Sequence, residues 1–402
     1  PTRVVTGMFQ FGPRAVFFTQ YQDELRSASN VRVLVHATAL ELEATPELTS
    51  VSRLKVASRP GRTLHVEAKL YVMAMGGMEN ARILLQSNRQ QASGLGNAHD
   101  LVGRYFMDHP LVDGGLFIPR DPSWFDRMAL YDLRRVDGTA VLGRLGLAPA
   151  LMRKERLLNS ALLLFPRPSP RQSEAIVAFK NIAETTARRE LPQDLLRAVG
   201  KTVLGLDYVL RASYLAARHK QSLYHGFGRG GWSELAGNHT RFRSFQVFMQ
   251  TEQAPDPSNR LVLSEERDRF GVPKLELRWR WGQRERESVL RTQQLLADEL
   301  ERARVGRFAI KRVNGEPDLC TPSGVAHHMG TTRMHADPKQ GVVDAQGRVH
   351  QLANLYMAGS SVFPTGGYAN PTLTIVALAA RLADHLKSVL RATPCVEAHK
   401  VA

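Results

Sequence analysis

FPTGGYANPTLTIVALAARLADHL, residues 363–386, holds a glycine pair, an Asn-Pro step and then an apolar-periodic run. Asn is a favoured N-cap and Pro a favoured first helical residue, so Asn370-Pro371-Thr372 reads as the start of a helix over 373–386. The free N–H groups of Thr372 and Leu373 would point out of that end, which attracts negative charge. Gly366 and Gly367 let another group approach the backbone closely. On this segment alone, an ordinary capped helix accounts for the pattern. Just upstream, 355–357 reads as a strand and 359–365 as a loop. Near the other end of the chain, 64–73 reads as a strand running into Gly76-Gly77, and 79–85 has helical character. Strand, glycine and helix in that order point to α/β layering.

Between these ends the pattern changes. Residues 13–28 read as a helix, Val31, Val33 and Val35 as a strand, and 39–42 as a second β-like stretch. LVGRYFMDHP, 101–110, reads as a loop, and 111–165 holds several short apolar runs with strand character. Residues 243–251 and 259–264 read as strands around the turn-rich PDPS, 266–273 as a charged turn and 275–281 as a third strand. A long helix over 284–304 follows, marked by Val289, Leu290, Leu295, Leu296 and Leu300. Residues 323–334 read as a Gly/His/Thr loop and 341–350 as turn and strand. Three strands followed by a long helix suggest a second domain of α+β type.

The 402 residues are 43% hydrophobic and 23% charged, an ordinary globular balance, and the length suits about two domains. Only Cys320 and Cys395 occur, which excludes a disulfide scaffold. No apolar run reaches the roughly 18 residues of a membrane-spanning helix, and no signal-peptide pattern follows Pro1. The chain is expected to be soluble or peripheral to a membrane. The formal charge is +16, and residues 166–245 hold 13 Lys/Arg against 6 Asp/Glu. Within that region Leu195, Leu196, Val199, Val203, Leu206, Val209 and Leu210 recur at helical spacing. Arg197, Lys201, Arg211, Arg218 and Lys220 are interleaved with them. The favoured reading is the solvated outer face of a core helix, with a basic helix lying on a membrane surface as the rival. There is no zinc-finger spacing, RNA-recognition motif or basic zipper, so no nucleic acid partner is expected.

AHHMGTTRM, 326–334, sets His327 and His328 beside Gly330 in a loop. Imidazole titrates near neutrality and can accept a proton there. A zinc site fails on spacing, since there is no HExxH and no Cys-x-x-Cys pair; no metal is expected.

HHMGTTRM followed by GVVDAQGRVHQLANLYMAGSSVFPTGGYANPTLTIVALAARLADHL resembles the C-terminal signature of the glucose-methanol-choline (GMC) oxidoreductases, in particular their pyranose-oxidase-like and gluconate-dehydrogenase-like branch. Further upstream, VRVLVHATALEL (31–42) resembles the family's strand pair beside the adenine. LYVMAMGGMENARILLQSN (70–88) resembles its "AAGG-ENARLLL" segment, and LVGRYFMDHP its "VGRNFMDHP" segment. The ordered matches cover roughly half the chain, while 111–240 matches only loosely.

The resemblance implies an FAD-dependent oxidoreductase acting on the CH–OH group of a sugar, polyol or related alcohol. The electron acceptor would be oxygen, a quinone or a cytochrome. His327, three residues before Gly330, matches the family's catalytic base, with His328 ranked behind it. Asn370 matches the second catalytic position. The backbones around Ala39, Ala74, Gly76, Gly359 and Ser360 would lie near FAD, with Pro371 and Thr372 at the flavin's N1–C2=O2 edge. There a helix N-terminus would stabilise the negative charge of the reduced ring. Asn370 can hydrogen-bond the substrate hydroxyl while His327 takes its proton. Gly359 stands where glucose-oxidase-like members carry Asp, which favours the sugar-oxidase branch.

The family opens with a strand–GxGxxG–helix that holds the FAD pyrophosphate, and this chain has no such motif. GFGRGG, 226–231, has the wrong spacing and no strand–helix frame. The expectation is an incomplete FAD-binding Rossmann-like domain of GMC type at 1–100 and 320–402, its N-terminal unit lost. It would enclose a substrate domain at 101–319 with an antiparallel or mixed sheet and the basic region of 166–245. The alternative is a catalytically silent fragment or a basic surface-binding protein, with peripheral membrane contact left open.

Overall fold

The computed structural model describes residues 3–13, 16–192, 194–219, 230–234, 237–319 and 325–392. Residues 226–229 of the GFGRGG stretch, Lys220, Cys320 and Cys395 lie outside the described residues. The class is the expected mixture of α/β and antiparallel β elements, and the chain divides into two compact units. One comprises 1–14, 111–251 and 286–321; the other comprises 15–110, 252–285 and 322–402. The chain therefore changes unit more often than boundaries near 100 and 319 allow. Strand Val4–Phe11 is one reason: it pairs along its whole length with Thr139–Leu147, from Val4 opposite Leu147 to Phe11 opposite Ala140.

The first unit is built on an antiparallel sheet. Its strand order is Val4–Phe11, Thr139–Leu147, Ser160–Arg167, Ser244–Thr251, Leu111–Pro119, Glu316–Leu319 and Arg312–Val313. Strand side chains alternate between faces. Phe245, Val247 and Met249 accordingly bury one face of the central strand, where Phe245 stacks on Phe117 and Phe125. The basic region forms helices Pro170–Ala187, Leu195–Leu204 and Leu206–His219. Their shared core is small: Ala175, Ile176 and Val209. Helix Leu195–Leu204 buries no residue, and Leu196 is 90% exposed. Of the apolar stripe read as the inner face of a core helix, Leu196, Val199, Val203, Leu206 and Leu210 thus face outward, and Val209 is buried.

The second unit holds the strand–glycine–helix elements. Tyr71–Met73 and Leu355–Met357 pair in parallel, and helix Gly76–Gln86 follows the first of them. Thr38–Ala44, Val51–Arg59 and Arg62–Val66 form an antiparallel sheet, and Arg260–Arg267 pairs with Pro273–Arg278. Leu42, Leu84, Val102, Met107, Met329, Val343 and Leu355 form part of one fully buried core. Helix Thr372–Ala392 starts one residue before the expected 373 and runs six residues past the expected 386. Several local expectations differ. Val31, Val33 and Val35 form no strand; they are exposed, and pairing starts only at Thr38. The helix over 13–28 breaks into Val16–Thr19 and Gln22–Ser27. The strand over 64–73 splits into the ends of two sheets, and 341–350 makes isolated bridges only, such as Val343 with Val349.

Candidate active site

The parallel strands Tyr71–Met73 and Leu355–Met357 are in register, Met73 opposite Met357, so they end at the same level. Each runs into a turn with a glycine at positive φ: Gly76 at +87° and Gly359 at +102°. Glycine adopts such angles without strain. Among the described residues, no heavy atom other than those of the adjoining residues stands within 4 Å of where a Cβ would be on either glycine. Asn80, wholly buried in helix Gly76–Gln86, ties the two turns together. Its Oδ1 accepts the Met75 N–H at 2.9 Å, while its Nδ2 donates to the Ala358 carbonyl at 2.9 Å and to Ser361 Oγ at 2.8 Å. Ala74, Gly76, Gly359 and Ser360 are thereby gathered beyond the carboxyl ends of parallel strands, the usual place for a ligand in α/β folds.

Ala39 stands elsewhere. Its strand meets helix Gly76–Gln86 at the far end, where Gln86 Nε2 donates to the Leu40 carbonyl and the Leu42 N–H donates to Ser87 Oγ. At 1.5 Å per residue that helix is about 16 Å long, so Ala39 flanks the opposite end of the same element.

The histidine loop lies between two segments. On one side, Gly330, Thr332 and Met334 donate their N–H groups to the carbonyls of Ser360, Ser361 and Val362. Ser360 Oγ donates to the His328 carbonyl at 2.7 Å. A Cβ on Gly77 would stand 2.2 Å from that same carbonyl oxygen, so the loop needs glycine there. On the other side, Met107 and Met329 exchange both backbone hydrogen bonds, at 3.0 and 2.9 Å. The loop is fixed on both flanks although its described residues, 325–334, contain no regular element.

His327 is half-buried, and its Nδ1 is enclosed with no hydrogen-bond partner among the described residues. Burial holds its pKa below the ordinary value; the Asp108 carboxylate pulls upward, and His328 adds to the lowering. The ring is therefore neutral at neutral pH, the form that accepts a proton. His109, completely buried, meets His327 edge-on at 5.2 Å. Neither of its ring nitrogens makes a well-formed hydrogen bond among the described residues. Burial pushes it down to about 4, helped by His327, while Asp108 and the backbone of Ala369 and Gly367 act more weakly the other way. His328 packs on Phe106 at 5.5 Å, its Nε2 lies 3.9 Å from Asp108 Oδ2, and its carbonyl is engaged by Ser360.

His109 also borders the second segment: its Cε1 would lie 3.9 Å from a Cβ on Gly366. His327 and the stretch 366–369 thus both contact this buried ring. Asn370 follows directly and is exposed, Pro371 is buried, and Thr372 opens the helix with an exposed first turn. Sequence reasoning overlooked Asn80, Asp108 and His109. The last two lie inside the quoted MDHP stretch, but single polar residues in a loop carry no periodic signal. Among the described residues no group of His, Cys, Asp and Glu could hold a metal ion, and no helix is long and apolar enough to cross a membrane.

Residues 255–379 match the family model described as GMC oxidoreductase. The chain is 28% identical over 360 residues to the fructose dehydrogenase large subunit of Gluconobacter japonicus, covering 88% of this chain and 53% of that protein. It is 33% identical over 128 residues to a C-glycoside 3-oxidase of Arthrobacter globiformis, covering 31% of this chain and 24% of that one. With the 2-methyl-1,2-propanediol dehydrogenase of Mycolicibacterium austroafricanum it shares 24% identity, over 82% of this chain and 50% of the relative. The chain thus spans about half the length of the two dehydrogenases. Among solved structures, pyridoxine 4-oxidase from Mesorbium loti aligns with a TM-score of 0.49 and 16% identity, covering 90% of this chain and 59% of that one.

Proposed function

We propose that this chain, whose residues 255–379 are the C-terminal region of a GMC oxidoreductase, belongs to an FAD-dependent enzyme that oxidises a CH–OH carbon of a sugar, polyol or related alcohol. The observation that carries the reading is the half-buried, neutral His327, its Nδ1 enclosed, held beside two glycine turns that face open space. The residues present fit the flavin. Gly76 and Gly359 leave room where side chains would stand, and helix Thr372–Ala392 offers an exposed N-terminal turn. Relatives named for fructose, C-glycosides and propanediol support sugar and polyol donors.

In this reading the second unit is the FAD-binding part, and residues 111–251 with 286–321 are the substrate part. Ala74, Gly76, Gly359 and Ser360 would hold the cofactor by backbone, with Pro371 and Thr372 presenting the helix N-terminus. Ala39 would serve a more distant portion. When bound, FAD supplies the acceptor for the hydride that leaves the carbinol carbon. His327 accepts the hydroxyl proton, and Asn370 holds the hydroxyl by a hydrogen bond. His109, neutral and buried, packs against His327 without placing a second cation beside it. Oxygen, quinones and cytochromes are the acceptor classes to test. The rival reading, a silent or basic surface-binding protein, is not favoured by relatives that are oxidases and dehydrogenases.

The experiment is anaerobic mixing of the flavin-loaded protein with a panel of sugars, polyols and simple alcohols. At least one donor should bleach the oxidised flavin absorbance. A loaded protein that no donor bleaches would overturn the proposal.

A further inference from the structure

The histidine loop is irregular, yet something must fix the height at which His327 stands. Its flanking contacts account for residues 328–334, not for the two residues where the loop turns inward. Ala326 has a left-handed backbone, φ +62°, which an L-residue adopts only under constraint. Among the described residues the constraint is a single side chain. Asp108, 2% exposed, accepts the N–H of His327 at 3.0 Å and that of His109 at 2.6 Å on Oδ1, and the N–H of Ala326 at 3.2 Å on Oδ2. Hydrogen bonds to a carboxylate are stronger than those to a neutral acceptor, and three of them here meet on one residue.

Asp108 is itself held from behind. Its N–H donates to Gln253 Oε1 at 3.2 Å, and that oxygen also accepts Trp279 Nε1–H at 3.0 Å. Gln253 Nε2 donates to the Arg280 carbonyl at 3.2 Å. The next residue along, His109, is the ring that borders both His327 and Gly366. One dipeptide therefore touches both segments that carry the proposed chemistry.

We infer that Asp108 is the positioning residue of His327: its buried carboxylate holds the Ala326–His327 backbone in its left-handed turn, while the adjoining His109 ring spaces His327 from the segment leading to Asn370. The inference rests on the proposed role of His327. It assigns Asp108 no contact with substrate or cofactor. Among the described residues the charged and titratable groups facing His327 are His109, Asp108 and His328. Of these, Asp108 is the one that favours a protonated ring, so its removal has a signature that loss of packing would not produce.

The test is Asp108→Asn in the flavin-loaded protein. The amide keeps one acceptor oxygen but turns an NH2 toward a backbone N–H. The expected result is a kcat lower by about 10- to 100-fold with KM within about twofold, the scale of a misplaced reacting group. The rising limb of the kcat/KM profile should also move to lower pH, because His327 loses its carboxylate. In the protein without flavin, amide hydrogen exchange at 326 and 327 should quicken by about tenfold or more. A pH limb that stays in place, or unchanged exchange at these amides, overturns the inference. Trp279→Phe provides a milder variant should Asp108→Asn fail to fold. It removes one donor from the same chain of bonds and should lower kcat by about two- to fivefold; an unaltered kcat counts against the inference. If His327→Ala keeps its turnover, the base assignment fails instead, a separate outcome.

Discussion

Met329 and Thr331 are completely buried, although they sit in a loop with no helix or strand of its own. Leu196, in a regular helix, is 90% exposed. The first region gains its order from non-local bonds: 330–334 to 360–362, Met329 to Met107, and Asp108 to the N–H groups of Ala326 and His327. The helices over 195–219 gain theirs from local i to i−4 bonds and a small cluster around Ile176 and Val209. Regular secondary structure and tight packing are therefore separate properties in this chain; of the residues proposed to do chemistry, His327 lies in the tightly packed region while Asn370 is exposed.

The contrast can be broken by substitution, and the largest expected effect is at Gly77. An Ala there would set its Cβ 2.2 Å from the His328 carbonyl oxygen, which is backbone and is held by Ser360. Gly77→Ala should lose about 3 kcal/mol or more in denaturant unfolding, at the upper end of overpacking costs. A variant as stable as the parent would show the loop to be looser than described.

His109 gives the next effect. Its pKa is pushed down to about 4 in the folded chain, so between that pH and the ordinary value near 6.5 the unfolded state binds more protons. Stability therefore falls as the pH drops from neutrality toward 4, by about 3 kcal/mol from this group. Urea melts at pH 7 and pH 4 should show that loss in the parent, and correspondingly less in His109→Leu. Equal acid losses in both proteins would remove His109 from this role.

The smallest effect belongs to the helical region. Leu196→Gln should change stability by no more than about 0.5 kcal/mol, as for other surface positions. A loss of several times that size would mean that Leu196 packs against something in the folded protein.

Much of the second unit was legible beforehand because its signals are local. Asn370-Pro371 announces the start of the helix of 372–392 almost to the residue, though not its end, and Gly76-Gly77 marks the helix after a strand. The resemblance brought His327 and Asn370 forward, and the structure sets His327 and the residues before Asn370 against one buried ring. The failures were of another kind. Val31, Val33 and Val35 alternate as a strand should, but a strand also needs a partner and a cover, and these residues have neither among the described residues. The stripe of 195–210 has helical period, but period says which residues share a face, not what that face meets. Strand Val4–Phe11 pairs with residues 129 to 143 positions away, a partner no local pattern names. Asp108 was invisible for the same reason: its function is to accept bonds from residues 218 and 219 positions further on.

The central claim is that His327 takes the proton while the hydride leaves the carbinol carbon. The direct measurement is the rate at which a donor that bleaches the parent flavin bleaches it in His327→Ala, followed by rapid mixing. The account predicts a rate about 10²- to 10⁴-fold slower, the usual contribution of a positioned base, with the oxidised flavin spectrum retained before mixing. Bleaching within about threefold of the parent would contradict it.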